Sequence, residues 1–338
     1  MAEARAVQFV GPRRVQIAPV PLPGCGPGEV LVRTLASGLS GGTEMLAYRG
    51  ELDPSSPRDE TIGALSGTFA YPFSYGYSCV GVVEQVGADP TAPPGPAPGS
   101  LVFAFHPHQD RFVAEPRDLV ALPADIDVRS ATLFPLVETA LQLSLDAGRV
   151  LAEPVVVLGL GVVGSLTALL LQRGGALVMG ADPRADRRAV ATRLGIEAFA
   201  PADLAGVVQE RTEGRGVPLI VELSGAPRAL AEGLELLAWE GVALAGSWYG
   251  TKPVTLPLGG AFHRRRLSIR ASQVSTIPSA QAAHWNVPRR RAAALALMTE
   301  LPLRSLATTD YPFESAAAAY ADLDTAKTGV LHAALRYE

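Results

Sequence analysis

Apolar residues follow two different patterns along the chain, and the change between them falls near residue 123. Before that point, short apolar runs at residues 30–32, 80–86 and 101–105 are separated by glycine and proline, which is typical of short strands. Residues 90–99, rich in proline and glycine, predict a loop between two of these strands. We therefore predict a β-rich first region.

After residue 123, the apolar runs alternate between strand length and helix length. The strand candidates are residues 155–158, 177–179, 219–222 and 242–245, and the helix candidates are residues 128–149 and 165–173. This alternation predicts a parallel, doubly wound sheet. Helices over residues 289–301 and 315–325 and a strand over residues 330–336 end the chain, and we interpret this tail as a return to the first region.

Composition and charge narrow the expected partners. Of 338 residues, 48% are hydrophobic and 18% are charged, and the net charge of −4 offers no broad basic surface for nucleic acid or anionic lipid. Cys25 and Cys79 are too few for a disulfide framework, which fits a reducing compartment. Glycines interrupt the most apolar run, and the N-terminus does not resemble a signal peptide. We expect a soluble, cytoplasmic protein with a small-molecule substrate and no nucleic-acid or membrane partner.

A glycine-rich turn stands between the strand candidate at residues 155–158 and the helix candidate that follows it. The turn contains Gly159, Gly161, Val162, Val163 and Gly164. Its first glycine permits a sharp turn, the second lets a pyrophosphate approach the backbone, and the third lets the helix pack closely on the strand. The helix N-terminus adds free N–H groups for phosphates. Strand, turn and helix together predict a dinucleotide site, and the alternative is a turn that only packs the sheet.

An acidic residue, Asp182, follows the next predicted strand, roughly 20 residues after the turn, where a carboxylate accepts hydrogen bonds from the adenosine ribose. This favours NAD, because the carboxylate would repel the 2′-phosphate of NADP. Arg184, Arg187 and Arg188 follow closely and leave NADP open.

The whole chain resembles the medium-chain dehydrogenase/reductase superfamily. The resemblance rests on the glycine turn and on residues 27–30, 38–50, 76–87, 223–225 and 241–246. It implies an α/β protein with a GroES-like β-rich catalytic domain, residues 1–123 and 271–338, and an inserted Rossmann domain, residues 124–270. It also implies hydride transfer at the nicotinamide of a cofactor held between these domains, and we expect a homodimer. Further cofactor contacts are assigned to Thr139, Ser224, Gly225, Gly246 and Ser247.

Zinc alcohol dehydrogenases of this superfamily carry ligands in a Cys-Gly-Thr-Asp segment and a Gly-His-Glu segment, and this chain departs from both. Residues 38–44 read Gly-Leu-Ser-Gly-Gly-Thr-Glu, the second segment reads Gly-Tyr-Ser around Tyr77, and the third ligand position falls near Pro135. A catalytic zinc needs about three protein ligands, so we expect no zinc and no other metal. The alternative, a rearranged metal site, would draw on Glu44, His106, His108 and Glu138.

Without zinc, side chains must manage the proton on the substrate oxygen. The resemblance assigns a hydrogen bond with the substrate hydroxyl to Thr43, and Tyr77 stands where the zinc enzymes have a histidine ligand. A buried Glu138 would be a candidate general base. The alternatives are a packed aromatic ring for Tyr77 and a fold-stabilising contact for Glu138.

Short stretches around Thr43 and Tyr77 resemble a zinc-lacking branch that includes bacteriochlorophyllide hydroxyethyl dehydrogenases, which implies secondary alcohol and ketone chemistry but not that substrate. We therefore predict a zinc-independent NAD(P)-dependent alcohol dehydrogenase or ketone reductase. The alternatives are an enone or quinone double-bond reductase of the same superfamily and a nucleotide-binding protein without activity. The basic cluster Arg289, Arg290 and Arg291 is interpreted as a solvated or salt-bridged face, with an anion site as the alternative.

Overall fold

The computed structural model describes residues 2–88, 95–307 and 309–338. Residues 90–94 of the predicted loop lie outside this part of the chain. Contacts divide the chain into two compact units: unit 1 comprises Met1–Pro135 and Met298–Glu338, and unit 2 comprises Leu136–Leu297. By these contacts, residues 271–297 group with unit 2. The functional division at residues 124 and 270 stays a prediction.

Sixteen strands and nine α-helices form over the described residues. The strands are β1 (Ala2–Gly11), β2 (Arg14–Leu22), β3 (Val30–Leu39), β4 (Phe73–Ser74), β5 (Cys79–Val86), β6 (Leu101–Ala104), β7 (Arg111–Ala114), β8 (Leu119–Ala121), β9 (Pro154–Leu158), β10 (Leu177–Ala181), β11 (Glu197–Phe199), β12 (Val217–Glu222), β13 (Leu237–Ala245), β14 (Ser268–Ala271), β15 (Thr309–Pro312) and β16 (Ala333–Arg336). The helices are α1 (Thr43–Arg49), α2 (Val128–Ala131), α3 (Phe134–Ala147), α4 (Val162–Arg173), α5 (Ala185–Arg193), α6 (Pro201–Arg211), α7 (Pro227–Gly233), α8 (Val287–Glu300) and α9 (Ala316–Asp324).

Unit 1 is β-rich, as the sequence predicts. One sheet has the order β2-β1-β4, and a second has the order β15-β16-β3-β5-β6-β8 with β7 paired to β3. Aromatic rings form much of its core: Phe9 stacks on Phe73 with ring centroids 5.1 Å apart and meets Tyr320 of α9 edge-on at 5.3 Å. Tyr48 of α1 stacks on the same Tyr320 ring at 5.3 Å. This packing fixes α1, which begins at Thr43.

Unit 2 contains a six-stranded parallel sheet in the order β11-β10-β9-β12-β13-β14. Val155 and Val157 of β9 join one apolar core and Val156 joins another, so the strand is buried on both faces and has an uninterrupted apolar sequence. The strand order reverses between β9 and β12, and ligands gather beyond the carboxyl ends of strands at such a point. The sheet confirms the predicted doubly wound architecture.

Two sequence predictions differ from the structure. The single helix predicted over residues 128–149 is two helices, α2 and α3, because Pro135 lacks a backbone donor and is tolerated only in the first turn of α3. The edge strands β11 and β14 were not predicted, because both are short and neither contains an uninterrupted apolar run. Within the part of the chain that the structure describes, none of the helices has the length and apolar character to span a bilayer.

Candidate active site

The glycine-rich turn between β9 and α4 has the geometry that a dinucleotide needs. Gly159 has φ +94°, and a Cβ there would lie 2.7 Å from the Ser224 Cα, so the turn packs tightly on the backbone that follows β12. A Cβ on Gly164 would lie 1.8 Å from the Gly159 carbonyl oxygen. A Cβ on Gly161 would meet no described atom within 4 Å. The turn is therefore closed towards the protein and open at Gly161, the side from which a pyrophosphate would approach.

Helix α4 follows the turn and presents backbone N–H groups at its N-terminus. Its N-cap, Gly161, has no side chain to accept a hydrogen bond from the first turn, to which Val162 and Val163 belong. The helix dipole adds a partial positive charge at this end. Free donors, positive potential and the open space at Gly161 together fit the diphosphate of a dinucleotide.

Asp182 directly follows β10 and is 1% exposed. Its Oδ2 accepts a hydrogen bond from the Leu160 N–H at 2.9 Å, and its Oδ1 accepts one from the Arg184 N–H at 2.9 Å. The carboxylate is thereby fixed beside the glycine turn. The position of the Asp182 carboxylate is therefore determined by the backbone that follows β9 and β10.

The three arginines that follow Asp182 have local partners. Arg184 Nη2 lies 2.5 Å from Asp186 Oδ2, and Arg187 Nη1 lies 3.5 Å from Asp182 Oδ2. Arg188 Nη1 donates to the backbone carbonyl of Asp182 at 2.8 Å. Each guanidinium group is thus already bonded or paired within this segment.

Glu222, a buried carboxylate that the sequence analysis did not single out, organises two of the predicted cofactor segments. It ends β12 and is 0% exposed. Its Oε1 accepts hydrogen bonds from the N–H groups of Ser224 at 2.7 Å and Gly225 at 3.1 Å, and its Oε2 accepts one from the Tyr249 hydroxyl at 2.6 Å. The Gly225 N–H also donates to Ser247 Oγ at 2.9 Å. Ser224, Gly225 and Ser247 are therefore brought together at the carboxyl ends of β12 and β13.

Gly246 lies in the same place because its N–H donates to the Glu222 backbone carbonyl at 3.0 Å. A Cβ on Gly246 would lie 2.7 Å from the side-chain end of Leu143 of α3, so glycine allows helix and strand end to approach closely here. The sequence signal for Glu222 was a carboxylate at the end of an otherwise apolar strand, Val-Pro-Leu-Ile-Val-Glu. Such a residue is buried only when its oxygen atoms find donors.

Helix α3 carries the remaining two predicted residues of unit 2. Thr139 is half-buried, and the neighbouring Glu138 is 3% exposed. Glu138 Oε1 lies 3.1 Å from Arg290 Nε, 3.0 Å from Arg290 Nη2 and 3.6 Å from Arg291 Nε. A carboxylate bound by guanidinium groups in this way matches the fold-stabilising alternative. The assignment of Glu138 as a general base stays a prediction.

In unit 1, Thr43 and Tyr77 lie together. Thr43 is the first residue of α1, and Tyr77 precedes β5 by two positions. Burial raises the pKa of Tyr77 to about 12, the nearby Glu44 also raises it, and hydrogen bonds from the side chains of Ser40 and Thr43 lower it. Side-chain hydrogen bonds therefore join the Tyr77 phenol to the hydroxyl groups of Ser40 and Thr43 in one cluster.

Glu44 fixes the turn that carries this cluster. The carboxylate is fully buried and accepts hydrogen bonds from the Ser40 N–H at 2.8 Å and the Tyr320 hydroxyl at 2.6 Å. His108 Nε2 lies 2.9 Å from its Oε2, and His108 Nδ1 lies 2.7 Å from Ser37 Oγ. Glu44 thus stabilises the fold locally: its hydrogen bonds to Ser40, His108 and Tyr320 hold residues 40–44 in place.

The rearranged metal site considered from the sequence would need several of these groups to converge. Glu44 and His108 meet, whereas the His106 ring stacks on Phe112 at 4.0 Å and its Nδ1 lies 3.0 Å from the Pro107 carbonyl oxygen. Over residues 2–88, 95–307 and 309–338, no group of three or more His, Cys, Asp or Glu side chains could hold a metal ion.

The chain is similar in sequence to several known dehydrogenases. A family model described as zinc-binding dehydrogenase matches residues 162–286. The chain is 30% identical over 331 residues to 2-desacetyl-2-hydroxyethyl bacteriochlorophyllide A dehydrogenase of Cereibacter sphaeroides, covering 94% of this chain and 93% of that protein. It is 26% identical to D-guloside 3-dehydrogenase of Escherichia coli, covering 77% of this chain and 78% of the relative. The match to the Cereibacter protein confirms the resemblance drawn from the residues around Thr43 and Tyr77.

Solved structures share the fold. The 2R,3R-butanediol dehydrogenase from Bacillus subtilis has a TM-score of 0.79 at 17% identity, covering 98% of this chain and 99% of that one. An alcohol dehydrogenase from Thermus sp. ATN1 has a TM-score of 0.76 at 20% identity, covering 99% and 100%. These matches confirm the GroES-like plus Rossmann architecture. The chain belongs to the medium-chain dehydrogenase/reductase superfamily and is an NAD(P)-dependent dehydrogenase.

Proposed function

We propose that this chain interconverts a secondary alcohol and its ketone on a small molecule, with NAD as the hydride carrier and without zinc. The observation that carries the proposal is the cluster of Ser40, Thr43 and Tyr77, which offers hydroxyl groups in the segments where zinc enzymes of the superfamily have metal ligands. The names of two relatives agree with a secondary alcohol: one refers to a hydroxyethyl group and the other to position 3 of a guloside. The homodimer and the cytoplasmic location stay predictions.

The cluster supplies a proton donor for the substrate oxygen. With a pKa near 12, Tyr77 keeps its proton at neutral pH, and its phenol would donate to a carbonyl oxygen as negative charge develops there. Ser40 and Thr43 stabilise the phenolate that remains, because their hydroxyls already bond to the phenol oxygen. In the opposite direction, Tyr77 accepts the alcohol proton only after it has itself lost a proton. The direct role of the neutral phenol is therefore in ketone reduction.

Zinc does not fit the residues present. Ser40 and Tyr77 are neutral hydroxyl groups engaged with each other, and Pro135, at the third ligand position, has no side-chain ligand atom. The family model described as zinc-binding matches residues 162–286, and all three of these positions lie outside that range. That match therefore does not bear on zinc.

A nicotinamide dinucleotide fits, and when bound it supplies or accepts the hydride. The residues that would hold it are Gly159, Gly161, Val162, Val163 and Gly164 at the diphosphate, Asp182 at the adenosine ribose, and Thr139, Ser224, Gly225, Gly246 and Ser247 at the nicotinamide half. NAD is favoured because the Asp182 carboxylate is fixed in place and the following arginines are bonded locally. Arg184 and Arg187 each already face a carboxylate of this segment, and Arg188 already donates to a backbone carbonyl, which favours the cofactor without a 2′-phosphate.

The cofactor preference is tested by Asp182→Ser. Loss of hydrogen bonds between a charged carboxylate and the ribose should lower kcat/KM for NAD by about 10- to 100-fold. The kcat/KM for NADP should not decrease in this variant, because the carboxylate that repels the 2′-phosphate is removed. Steady-state rates with both cofactors measure the ratio, and Asp203→Ser, an exposed change on α6, is the control. An unchanged NAD to NADP ratio would count against the assignment.

The reaction type is tested with NADH and 2-cyclohexen-1-one, whose carbonyl and double bond are both reducible. The proposal expects 2-cyclohexen-1-ol, detected by gas chromatography. Cyclohexanone as the main product would instead favour the double-bond reductase of the same superfamily. Binding of NADH without turnover of this or any other ketone would favour the protein without activity.

A further inference from the structure

Arg290, in the first turn of α8, is a guanidinium group buried inside unit 2. Its exposure is 2%, whereas its neighbour Arg289 is exposed. Arg290 Nη2 donates to the Val274 carbonyl at 2.5 Å, and Nη1 donates to Gln142 Oε1 at 2.5 Å and to the Thr276 carbonyl at 3.4 Å. Nε donates to Glu138 Oε1 at 3.1 Å. The basic cluster predicted from the sequence is therefore divided, and one of its members binds backbone carbonyl groups.

The two bonds to backbone carbonyl groups, those of Val274 and Thr276, reach one short segment, residues 272–276, which follows the edge strand β14. The same segment is held at its start: the Ser272 N–H donates to the Ala245 carbonyl at 2.9 Å, and Ser272 Oγ donates to Asp146 Oδ2 at 2.6 Å. Residues 272–276 thus have irregular backbone whose conformation depends on side chains from elsewhere in unit 2.

Helix α3 holds both Arg290 and Ser272 through one stripe of polar side chains. Glu138, Gln142 and Asp146 are spaced four residues apart, so they lie on one face of the helix. Glu138 and Gln142 bind Arg290, and Asp146 binds Ser272. A buried charged pair contributes little to stability compared with apolar residues of the same volume. The main structural effect of this stripe is therefore to fix the conformation of residues 272–276.

The sheet order indicates which part of a dinucleotide this segment would meet. Asp182 at the end of β10 marks the adenosine side, and the open glycine turn between β9 and α4 marks the diphosphate. The other half of the molecule must then extend over the carboxyl ends of β12, β13 and β14. With strands about 4.8 Å apart, β14 lies roughly 14 Å from β9, at the far end of this row.

We propose that Arg290 is a positioning residue for the cofactor, held by Glu138, and that it fixes the backbone of residues 272–276 to receive the carboxamide of the nicotinamide ring. A carboxamide has an oxygen that accepts hydrogen bonds and an NH2 group that donates them. Backbone N–H and C=O groups that are not paired within a sheet can bind both. The inference rests on the proposed function, and it assigns Glu138 to holding Arg290 instead of moving a proton.

The test compares two ligands that differ in the nicotinamide ring. NADH carries the ring, and ADP-ribose has the adenosine and diphosphate but lacks it. Calorimetric titration of the full chain with each ligand should show that Arg290→Lys raises the Kd of NADH by about tenfold, since a single ammonium cannot replace donors aimed at two separate carbonyl groups. The Kd of ADP-ribose should stay unchanged. Arg289→Lys is the matched control, an exposed arginine of the same helix whose guanidinium lies over the Trp285 ring.

Glu138→Gln gives a second route if Arg290→Lys does not fold. It keeps an acceptor for Arg290 and removes the charge, and it should shift the Kd of NADH in the same direction while leaving the pH profile of kcat for alcohol oxidation unchanged. A lost pH dependence of kcat would show that Glu138 is a general base and overturn the inference. Equal losses for NADH and ADP-ribose, or no loss for either, would also overturn it. A wild-type chain that binds neither ligand would instead contradict the proposed function.

Discussion

Tyr77→Phe is expected to lower kcat for ketone reduction by about 10²- to 10⁴-fold, the usual contribution of a positioned proton donor. The change removes one oxygen atom and keeps the ring that packs edge-on against Tyr75 at 6.3 Å, so the fold should be retained. Binding of NADH should be unchanged, because Tyr77 is not one of the residues proposed to hold the dinucleotide. Steady-state kinetics with NADH and acetophenone, together with an NADH titration, measure both quantities.

The raised pKa of Tyr77 also predicts how the rates of ketone reduction and alcohol oxidation change with pH. Because the pKa of Tyr77 is raised to about 12, the protonated phenol predominates throughout the neutral and mildly alkaline range. Reduction should therefore be independent of pH up to about pH 10, whereas alcohol oxidation, which requires the phenolate, should rise by about tenfold per pH unit. Tyr77→Phe should abolish the rise. Tyr75→Phe, a neighbouring buried tyrosine, is the control, and an equal loss of activity in both variants would assign Tyr77 a packing role only.

Gly161→Val is expected to raise the Kd of NADH by at least about 100-fold while the thermal stability is retained. A Cβ at this position meets no described atom within 4 Å, so the valine side chain has space in the free protein. That space is where a diphosphate would approach the N-terminus of α4, and filling it removes several hydrogen bonds to a charged group. Calorimetry with NADH and thermal unfolding monitored by circular dichroism test the two parts of the prediction.

Gly206→Val is the matched control for this variant. Gly206 lies in α6, and a Cβ there also meets no described atom within 4 Å. The control should bind NADH as the wild type does. If Gly161→Val also bound NADH with wild-type affinity, the glycine turn would have no contact with the cofactor.

Local signals along the chain were sufficient to predict the four central strands and the glycine turn of unit 2. Strand β9 is buried on both faces and therefore consists of consecutive apolar residues, and the glycines follow it directly. The edge strand β14 has a different sequence, Ser-Ile-Arg-Ala, with mostly exposed side chains. It is a strand because β13 offers a parallel partner, and pairing between distant segments leaves no periodic signal.

The polar contacts of the site could not be predicted in the same way. Glu138, Gln142 and Asp146 have a helical spacing that is visible in the sequence, but their partners lie more than 100 residues away. The three consecutive arginines 289–291 look alike in the sequence, and only the packing of α8 decides that Arg290 is the buried one. Glu222 was missed for the same reason, since its donors, Ser224, Gly225 and Tyr249, converge on it only after β12 and β13 have paired.

The central claim is that hydroxyl groups, and not zinc, manage the substrate oxygen beside a nicotinamide cofactor. It is tested most directly by measuring NADH formation from 1-phenylethanol and NAD on enzyme whose zinc content is determined in the same sample. We expect turnover with far less than one zinc per chain and no loss of rate after treatment with 1,10-phenanthroline. About one zinc per chain, with activity that disappears when the metal is removed and returns when it is restored, would show that zinc acts on the substrate oxygen.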